Sequence, residues 1–283
     1  MKNYQLTYEK LLAWCIVPFD KGKRAPKARA EMLNRLRIKS YVYDWRAEHI
    51  PEFEEEIQQM LAHDIEIFGW WMPGEINDTL RTMLRLFSQY QIKPQLWITY
   101  CEDPLEGTPQ QDIVADYYER LRPLVEAASD AGLELGLYNH MHWFGEPENE
   151  LELMHKFHAD GHRNVGLVYN FHHAHAHIDR FSEVMEMIKP HLMCLNLNGM
   201  DRRGMDWAYK IVPLGYGECE LDMMRVVSRS GYTGPLGLLN HTSEDSEERL
   251  ADNLEGFHWC QKILAGEDPG AKPTPRSWQP VSS

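Results

Sequence analysis

The chain has 283 residues and a formal net charge of −14 at pH 7, with 43% hydrophobic and 25% charged residues. That length suits two small domains or one α/β barrel, and the composition supports a sizeable core. The acidic balance argues against non-specific binding to nucleic acid or anionic membrane, because both reward clustered Lys and Arg.

Short apolar runs alternate with amphipathic stretches about eight times along the chain. Residues 11–18 predict a first strand and 26–37 a helix; 40–44 a second strand and 51–63 its helix. The pattern continues with strands at 65–71, 94–99, 133–138 and 165–170, followed by helices at 77–90, 110–131, 147–160 and 179–189. A strand at 192–198 precedes a helix at 220–230, and a strand at 236–240 precedes a helix at 244–264. Phe53, Ile57, Met60 and Leu61 recur at helical spacing, with Glu54, Glu55 and Glu56 between them. Pro51 and Pro147 sit where a first helical turn tolerates proline, and Gly132, Gly161 and Gly231 follow helix ends.

Eight β-then-α units imply parallel strands, right-handed crossovers and a single-domain α/β fold, the (β/α)8 TIM barrel, over residues 1–270. A doubly wound open sheet is the alternative. It would normally carry a glycine-rich first turn, and Asp20-Lys21-Gly22-Lys23 has no GxGxxG. Residues 271–283, rich in Pro and Ser, are expected to form an extended or frayed tail.

The five cysteines (Cys15, Cys101, Cys194, Cys219, Cys260) include no CxxC pair, so neither a zinc ribbon nor a disulfide framework is expected. Reduced thiols fit a cytoplasmic protein. The opening MKNYQLTYEK lacks a secretory apolar segment, although a removed signal peptide would leave no trace. No apolar stretch reaches the roughly 18–20 residues of a membrane span.

Histidine gathers directly after three of the predicted strands: Tyr138-Asn139-His140, Tyr169-Asn170-Phe171-His172-His173, and Asn240-His241. In a barrel, active sites lie at the C-terminal strand ends, so these points converge on one pocket. His172 and His173 are adjacent; in strand geometry one should face the pocket and the other pack or cap. His173, His175 and His177 would share a side if extended, but they match no zinc spacing such as HExxH, and His175 and His177 read as loop surface. Trp70, Trp71 and Trp97 at strand ends offer flat faces for sugar rings, with at least one expected to pack under a helix. Glu146, in the aromatic loop Trp143-Phe144-Gly145-Glu146-Pro147, stands close to His140 in sequence.

The stretches AWCIVPFD (13–20), YDWRAEHIP (43–51), KPQLWIT (93–99), GLYNHMHWFGEPEN (136–149), NVGLVYNFHHAHAH (164–177), LNLNGM (195–200) and GYTGPLGLLNHTSEDSEERLADNLEG (231–256) resemble the xylose isomerase-like TIM barrels, in particular a bacterial sugar phosphate isomerase/epimerase branch. The resemblance spans nearly the whole chain. It implies a barrel acting on a sugar through an enediolate, with a divalent ion held by carboxylates at strands five, six and eight and a histidine from strand seven. At those positions this chain has Tyr138, Asn170, Asn196 or Asn198, and Asn240. None is a carboxylate, and Asn can neither abstract a proton nor hold a hard dication well. His173 falls three residues after the strand-six position, where the family binds metal or substrate.

Two repairs follow. His140, His173 and His241 could form a nitrogen-rich site for Mn, Zn or Co. Alternatively no metal binds, and histidine does the acid/base work directly. The expected protein is an enzyme that abstracts a proton next to the carbonyl of a sugar or keto-sugar, as an isomerase, epimerase or β-elimination lyase. His140, His173 and His241 act as acid/base groups or ligands, Glu146 as a supporting acid or orienter, and Arg46 balances negative charge. Trp70, Trp71, Trp97, Tyr138, Asn139, Asn170, His172, Asn198 and Asn240 would shape the sugar pocket. The rival is a non-catalytic carbohydrate-binding barrel that has lost its carboxylates. Phosphodiester cleavage, as in the superfamily's DNA-repair nucleases, would need a metal cluster and a basic face. The expected partner is a small carbohydrate, without nucleic acid or membrane, and relatives suggest a homo-oligomer.

Overall fold

The computed structural model describes residues 6–276 and 278; the rest of the expected tail, 277 and 279–283, lies outside the described residues, as does 1–5. Eight parallel strands close into a barrel in sequence order. They are β1 (Leu11–Trp14), β2 (Ser40–Tyr43), β3 (Glu66–Trp71), β4 (Gln95–Ile98), β5 (Leu135–Tyr138), β6 (Val165–Asn170), β7 (Leu192–Leu197) and β8 (Leu236–Leu239). Between them run α1 (Pro26–Arg35), α2 (Phe53–Ala62), α3 (Asp78–Tyr90), α4 (Gln110–Asp130), α5 (Pro147–Ala159), α6 (Phe181–Ile188), α7 (Trp207–Lys210) and α8 (Glu220–Ser230), and α9 (Ser246–Ala265) follows β8. The barrel closes where β1 pairs with β8 over four register positions, Leu11 against Leu236 to Trp14 against Leu239.

The elements differ from the expected bounds where local chemistry intervenes. The first strand ends at Trp14 rather than 18 because Cys15 takes a left-handed backbone, φ 59°, which no strand continues through. Residues 47–52 form a 3-10 turn ahead of α2, with Pro51 inside it. After β6 the chain coils into two 3-10 turns, Phe171–His173 and His175–Arg180, before α6 begins. Between β7 and α8 the long loop carries α7 and an antiparallel bridge, Gly199 to Val212, neither of which the apolar pattern indicated.

Strand alternation sorts the core into two layers. Leu12, Trp14, Val42, Trp97, Tyr138 and Val168 are among the side chains that fill the barrel. Tyr41, Tyr43, Trp70, Leu96, Leu135 and Leu195 belong to the larger layer between the barrel and its helices. The described part of the C-terminal segment has no helix or strand and contacts α9 through Arg276. The Arg276 amide donates to the Asp252 carboxylate at 2.9 Å, and its guanidinium bonds Asp252 and Glu255 on α9. Among the described residues no helix is long and apolar enough to cross a membrane.

Candidate active site

The C-terminal end of the barrel has an aromatic floor. Trp14 donates its indole N–H to the Tyr138 hydroxyl at 3.2 Å, and Trp97 lies 5.0 Å from Trp14 by ring centroids. Trp71 packs at 5.2 Å, edge-on, against Tyr138. The Tyr138 hydroxyl also takes a hydrogen bond from the Asn170 side-chain amide. Burial raises the Tyr138 phenol well above its ordinary range, so it stays protonated.

Above this floor four histidines form an arc contributed by three βα loops. His140 and His173 approach to 4.2 Å between centroids, His173 and His172 to 4.0 Å, and His172 and His241 to 5.0 Å. Both members of the His172-His173 pair join the arc, contrary to the alternation expected of a strand. They sit in a 3-10 turn, whose three residues per turn separate successive side chains by a third of a rotation. His140 is fixed by a loop that folds back on it: Gly145 approaches so closely that a Cβ there would meet the His140 backbone at 2.7 Å. Met141 and His142 both take positive φ in the same loop. At the far end of the arc Phe19 packs on His241, 3.7 Å between ring centroids.

These imidazoles are neutral at physiological pH. Burial pushes His172 and His173 well below the ordinary histidine range, and the neighbouring imidazoles and Lys210 add to the effect. Burial likewise lowers His140. His241 is pushed down to about 4 by burial, with the Arg46 charge second.

Three further groups belong to this mouth and were not among the expected site residues. Asp44, one position past β2, is 2% exposed and points inward beside Val42 by strand alternation. Its Oδ1 accepts the Val17 amide at 3.2 Å, while Oδ2 is buried without a hydrogen-bond partner among the described residues. Burial raises its pKa to about 6, against the opposing charge of Arg46. Cys15, buried beside Asp44, has its thiol pushed well up by burial and then by that carboxylate. Lys210 of α7 carries a positive charge toward the arc, depressing His140, His172, His173 and His241 together. The parity of β2 was the available signal for Asp44; nothing in the pattern brought the 199–212 loop over the mouth.

Arg46 stands at the rim as expected. Its Nη1 donates to the Asp44 and Trp45 carbonyls, both at 2.8 Å, and its guanidinium lies 5.3 Å from the Phe19 ring centre.

Several expected pocket residues are placed elsewhere. Trp70 points outward, buried against Phe53 and Phe87 at 5.0 Å each, because it neighbours the inward Trp71 on β3. Trp97 is fully buried in the floor and donates to Gln95 at 3.0 Å; of the three tryptophans, only Trp71 retains partial exposure. Asn139 spends both ends of its amide on the Asn170 backbone, at 2.7 and 3.2 Å, stitching the ends of β5 and β6. Asn240 faces outward and donates to Ser246 of α9 at 2.8 Å. Asn198 is fully buried and donates to the Gly199 carbonyl at 2.8 Å. Asn170 accepts the His172 amide at 3.1 Å, so it shapes the turn that presents the histidines.

Glu146 is engaged with the chain after β6. Its carboxylate bonds His177 and Arg180 at 3.2 Å each, and His177 holds it below the ordinary carboxylate range. His177, expected at the surface, is 4% exposed and also bonds the Tyr169 hydroxyl at 2.9 Å. His175 is half-buried and bonds the Asp201 and Lys210 carbonyls at 3.0 and 2.9 Å, which ties the 199–212 loop to β6.

Residues 74–263 match the family described as xylose isomerase-like TIM barrel. The chain belongs to that family. Solved structures of the same fold include a 3-keto-D-glucoside 4-epimerase, YcjR, from E. coli, with a TM-score of 0.64 and 11% identity over 89% of this chain and 99% of that one. The 3-DHS dehydratase AsbF from Bacillus anthracis, described as probable, has a TM-score of 0.69 at 13% identity over 92% and 100%. The IOLI protein, solved with a zinc atom, has 0.68 at 14% identity over 90% and 99%. No curated protein matches by sequence.

The divalent ion that the xylose isomerase-like resemblance implies does not fit the donors present here. The inward residues at the ends of β5, β6 and β7 are Tyr138, Asn170 and Asn196, and the Tyr138 phenol is held protonated. Among the described residues no three His, Cys, Asp or Glu side chains are arranged to hold a metal ion. Of the expected triad, His140 meets His173, while the imidazole stacked on His241 is that of His172.

Proposed function

We propose that this barrel enolises a keto-sugar with histidine as its acid/base group, moving a proton at the carbon next to the carbonyl. The observation that carries the reading is the arc of His140, His173, His172 and His241, four adjacent imidazoles kept in the neutral, basic form by burial. A neutral imidazole nitrogen of His173 or His140 takes the C–H proton, and the electron pair passes to the carbonyl oxygen as an enolate. Arg46 and Lys210 supply positive charge for that oxygen. For epimerisation, a second proton donor of the site reprotonates the opposite face of the enolate, while the first imidazolium later gives up its proton to water. For isomerisation, the imidazolium returns the proton to the former carbonyl carbon, with a hydroxyl proton moving in compensation. If a leaving group sits β to the carbanion, the enolate expels it instead. Asp44, at about 6, can hold or release a proton near neutral pH at the same mouth. Trp71, partly exposed beside the buried Trp14 and Tyr138, offers an apolar face that suits the C–H side of a sugar ring.

The activities of the structural relatives, a 3-keto-glucoside epimerase and D-psicose 3-epimerases, support the substrate class. The free thiols of Cys15, Cys101, Cys194, Cys219 and Cys260 support a reducing, cytoplasmic setting. A second reading, a carbohydrate-binding barrel without turnover, is favoured by Asn170 and Asn196, the neutral amides at the inward ends of β6 and β7.

The test is proton exchange. The protein is incubated in D2O with D-fructose, D-tagatose and a 3-keto-glucoside, and the signal of each α-hydrogen is followed by NMR. Enolisation predicts deuterium at the α-carbon of at least one sugar, abolished in His173→Ala. Binding of these sugars without exchange would sink this reading and favour the binding barrel.

A further inference from the structure

The arc opens on one side into a cavity of about 610 Å³, within the range of about 300–1,000 Å³ common for small-molecule sites. His241 belongs to both, so the cavity continues the histidine site rather than standing apart from it. Its other walls are Phe19, Lys21 and Lys23 of the β1–α1 turn, Ser243 of the β8–α9 loop, and Trp278 of the C-terminal segment.

The cationic turn is built, not loose. Asp20 holds it from within: its carboxylate accepts the Gly22 and Arg24 amides at 3.0 Å each and the Ser246 amide at 3.1 Å. The Lys21 amide donates to the Glu244 carbonyl at 3.0 Å, which fixes the turn against the β8–α9 loop. The two carboxylates in the wall are already engaged, Asp20 with Arg24 at 2.6 Å and Glu244 with Arg249 at 3.3 Å. Lys21 and Lys23 are left without an ion pair among the described residues, in a chain of net charge −14. Trp278 is brought to the mouth by the clamp of Arg276 on α9 and by its contact with Tyr216, 5.5 Å between centroids.

We propose that this cavity is a subsite for an anionic substituent of the substrate, a carboxylate or a phosphate. Lys21 and Lys23 supply the counter-charge, and Phe19 and Trp278 the flanking walls. The proposal rests on the sugar reading of the adjoining histidines and adds to it that the sugar is an acid or an ester of one. Lys21 and Lys23 are exposed at the cavity wall, and two ammonium groups on a pinned turn can pair with either anion.

The experiment is calorimetric titration of the full chain with D-glucose, D-glucuronate and D-glucose 6-phosphate, beside the double variant Lys21→Ala/Lys23→Ala and the single variant Trp278→Ala. At least one acidic sugar binds about tenfold more tightly than glucose, the size of one charge-assisted hydrogen bond. The double variant loses that preference and keeps its affinity for glucose; Trp278→Ala weakens the preferred acid several-fold. Whether glucuronate or the phosphate leads tells which anion is read. Equal affinities for the three, a preference that survives the double variant, or no binding of any overturns the subsite. These outcomes are separable from the fate of the enolisation reading. Loss of α-hydrogen exchange with the acid preference intact removes the chemistry and leaves the subsite; exchange without preference does the reverse.

Discussion

The rings of His140 and His173 meet at 4.2 Å between centroids, although they come from the loops after β5 and β6. Neither ring has a carboxylate among the groups that set its pKa, so neither is held as imidazolium before substrate arrives. On the proposed reading, this pair of neutral imidazoles beside an aromatic floor accepts the proton of a bound C–H group.

Replacing either ring therefore removes a proton acceptor and little structure. His173→Ala and His140→Ala should each lower turnover by about 100- to 10,000-fold, the usual worth of a general acid/base group. The sugar affinity should change far less. Steady-state kinetics on the substrate found by exchange, read as kcat against KM, checks this. A large rise in KM with kcat intact would make these residues binding groups only.

The acid limb of stability follows from His241. Its folded pKa of about 4 lies below the ordinary value of 6.5, so the unfolded chain binds the proton more readily. Stability is complete above about pH 6.5 and falls as pH drops from there toward 4. His241→Gln should flatten that part of a Tm-against-pH curve. An unchanged slope would contradict the depressed value.

Asp44 runs the opposite way. Its folded pKa of about 6 lies above the ordinary 3.8, so the folded state binds the proton more readily, and stability is lost as pH rises through 6. Asp44→Asn keeps an acceptor for the Val17 amide and removes the buried charge. It should raise Tm at pH 8 by a few degrees, give no gain below pH 4, and lower turnover. Thermal melts at the two pH values decide it. A lower Tm at pH 8 would show the carboxylate to be structurally required.

Adjacent residues on one strand should separate into structure and substrate. Trp70→Ala, emptying a site packed between Phe53 and Phe87, should cost about 3–5 kcal/mol of stability. Trp71→Ala, at the mouth, should weaken sugar binding with a smaller loss. Asn139→Ala leaves the Asn170 amide and carbonyl without their partners and should cost about 1–3 kcal/mol while sparing KM. Denaturant melts and titrations on the three variants check the assignment.

The barrel was legible because each strand is a short apolar run and the intervening stretches are amphipathic, with end signals at some helices such as Pro147 and Gly231. Convergence of His140, His173 and His241 followed from the fold alone. What sequence did not carry was parity. Register shifts opposite Tyr41/Val42 and Leu167/Val168 skip Phe68 of β3 and Met193 of β7, which breaks the simple count along β3 and β7. Trp70, expected inward, lies on the shifted β3. Plain alternation holds at the ends of β2, β5 and β8; there Asp44 was passed over and Asn139 and Asn240 were expected inward because position after a strand was read without parity. The 3-10 turns after β6 were equally hidden, and they bury His177 and bring His172 beside His173. Lys210 reached the mouth through a loop whose path depends on long-range contacts such as the bond from His175 to its carbonyl.

The central claim is that histidine, not a bound metal, moves the proton. Its most direct test is deuterium incorporation at the α-carbon of the accepted keto-sugar by protein dialysed against EDTA. The account predicts exchange at an undiminished rate, lost in His173→Ala whether or not metal is added. Exchange that stops with EDTA and returns with Mn, Zn or Co would contradict it and make the arc a metal site.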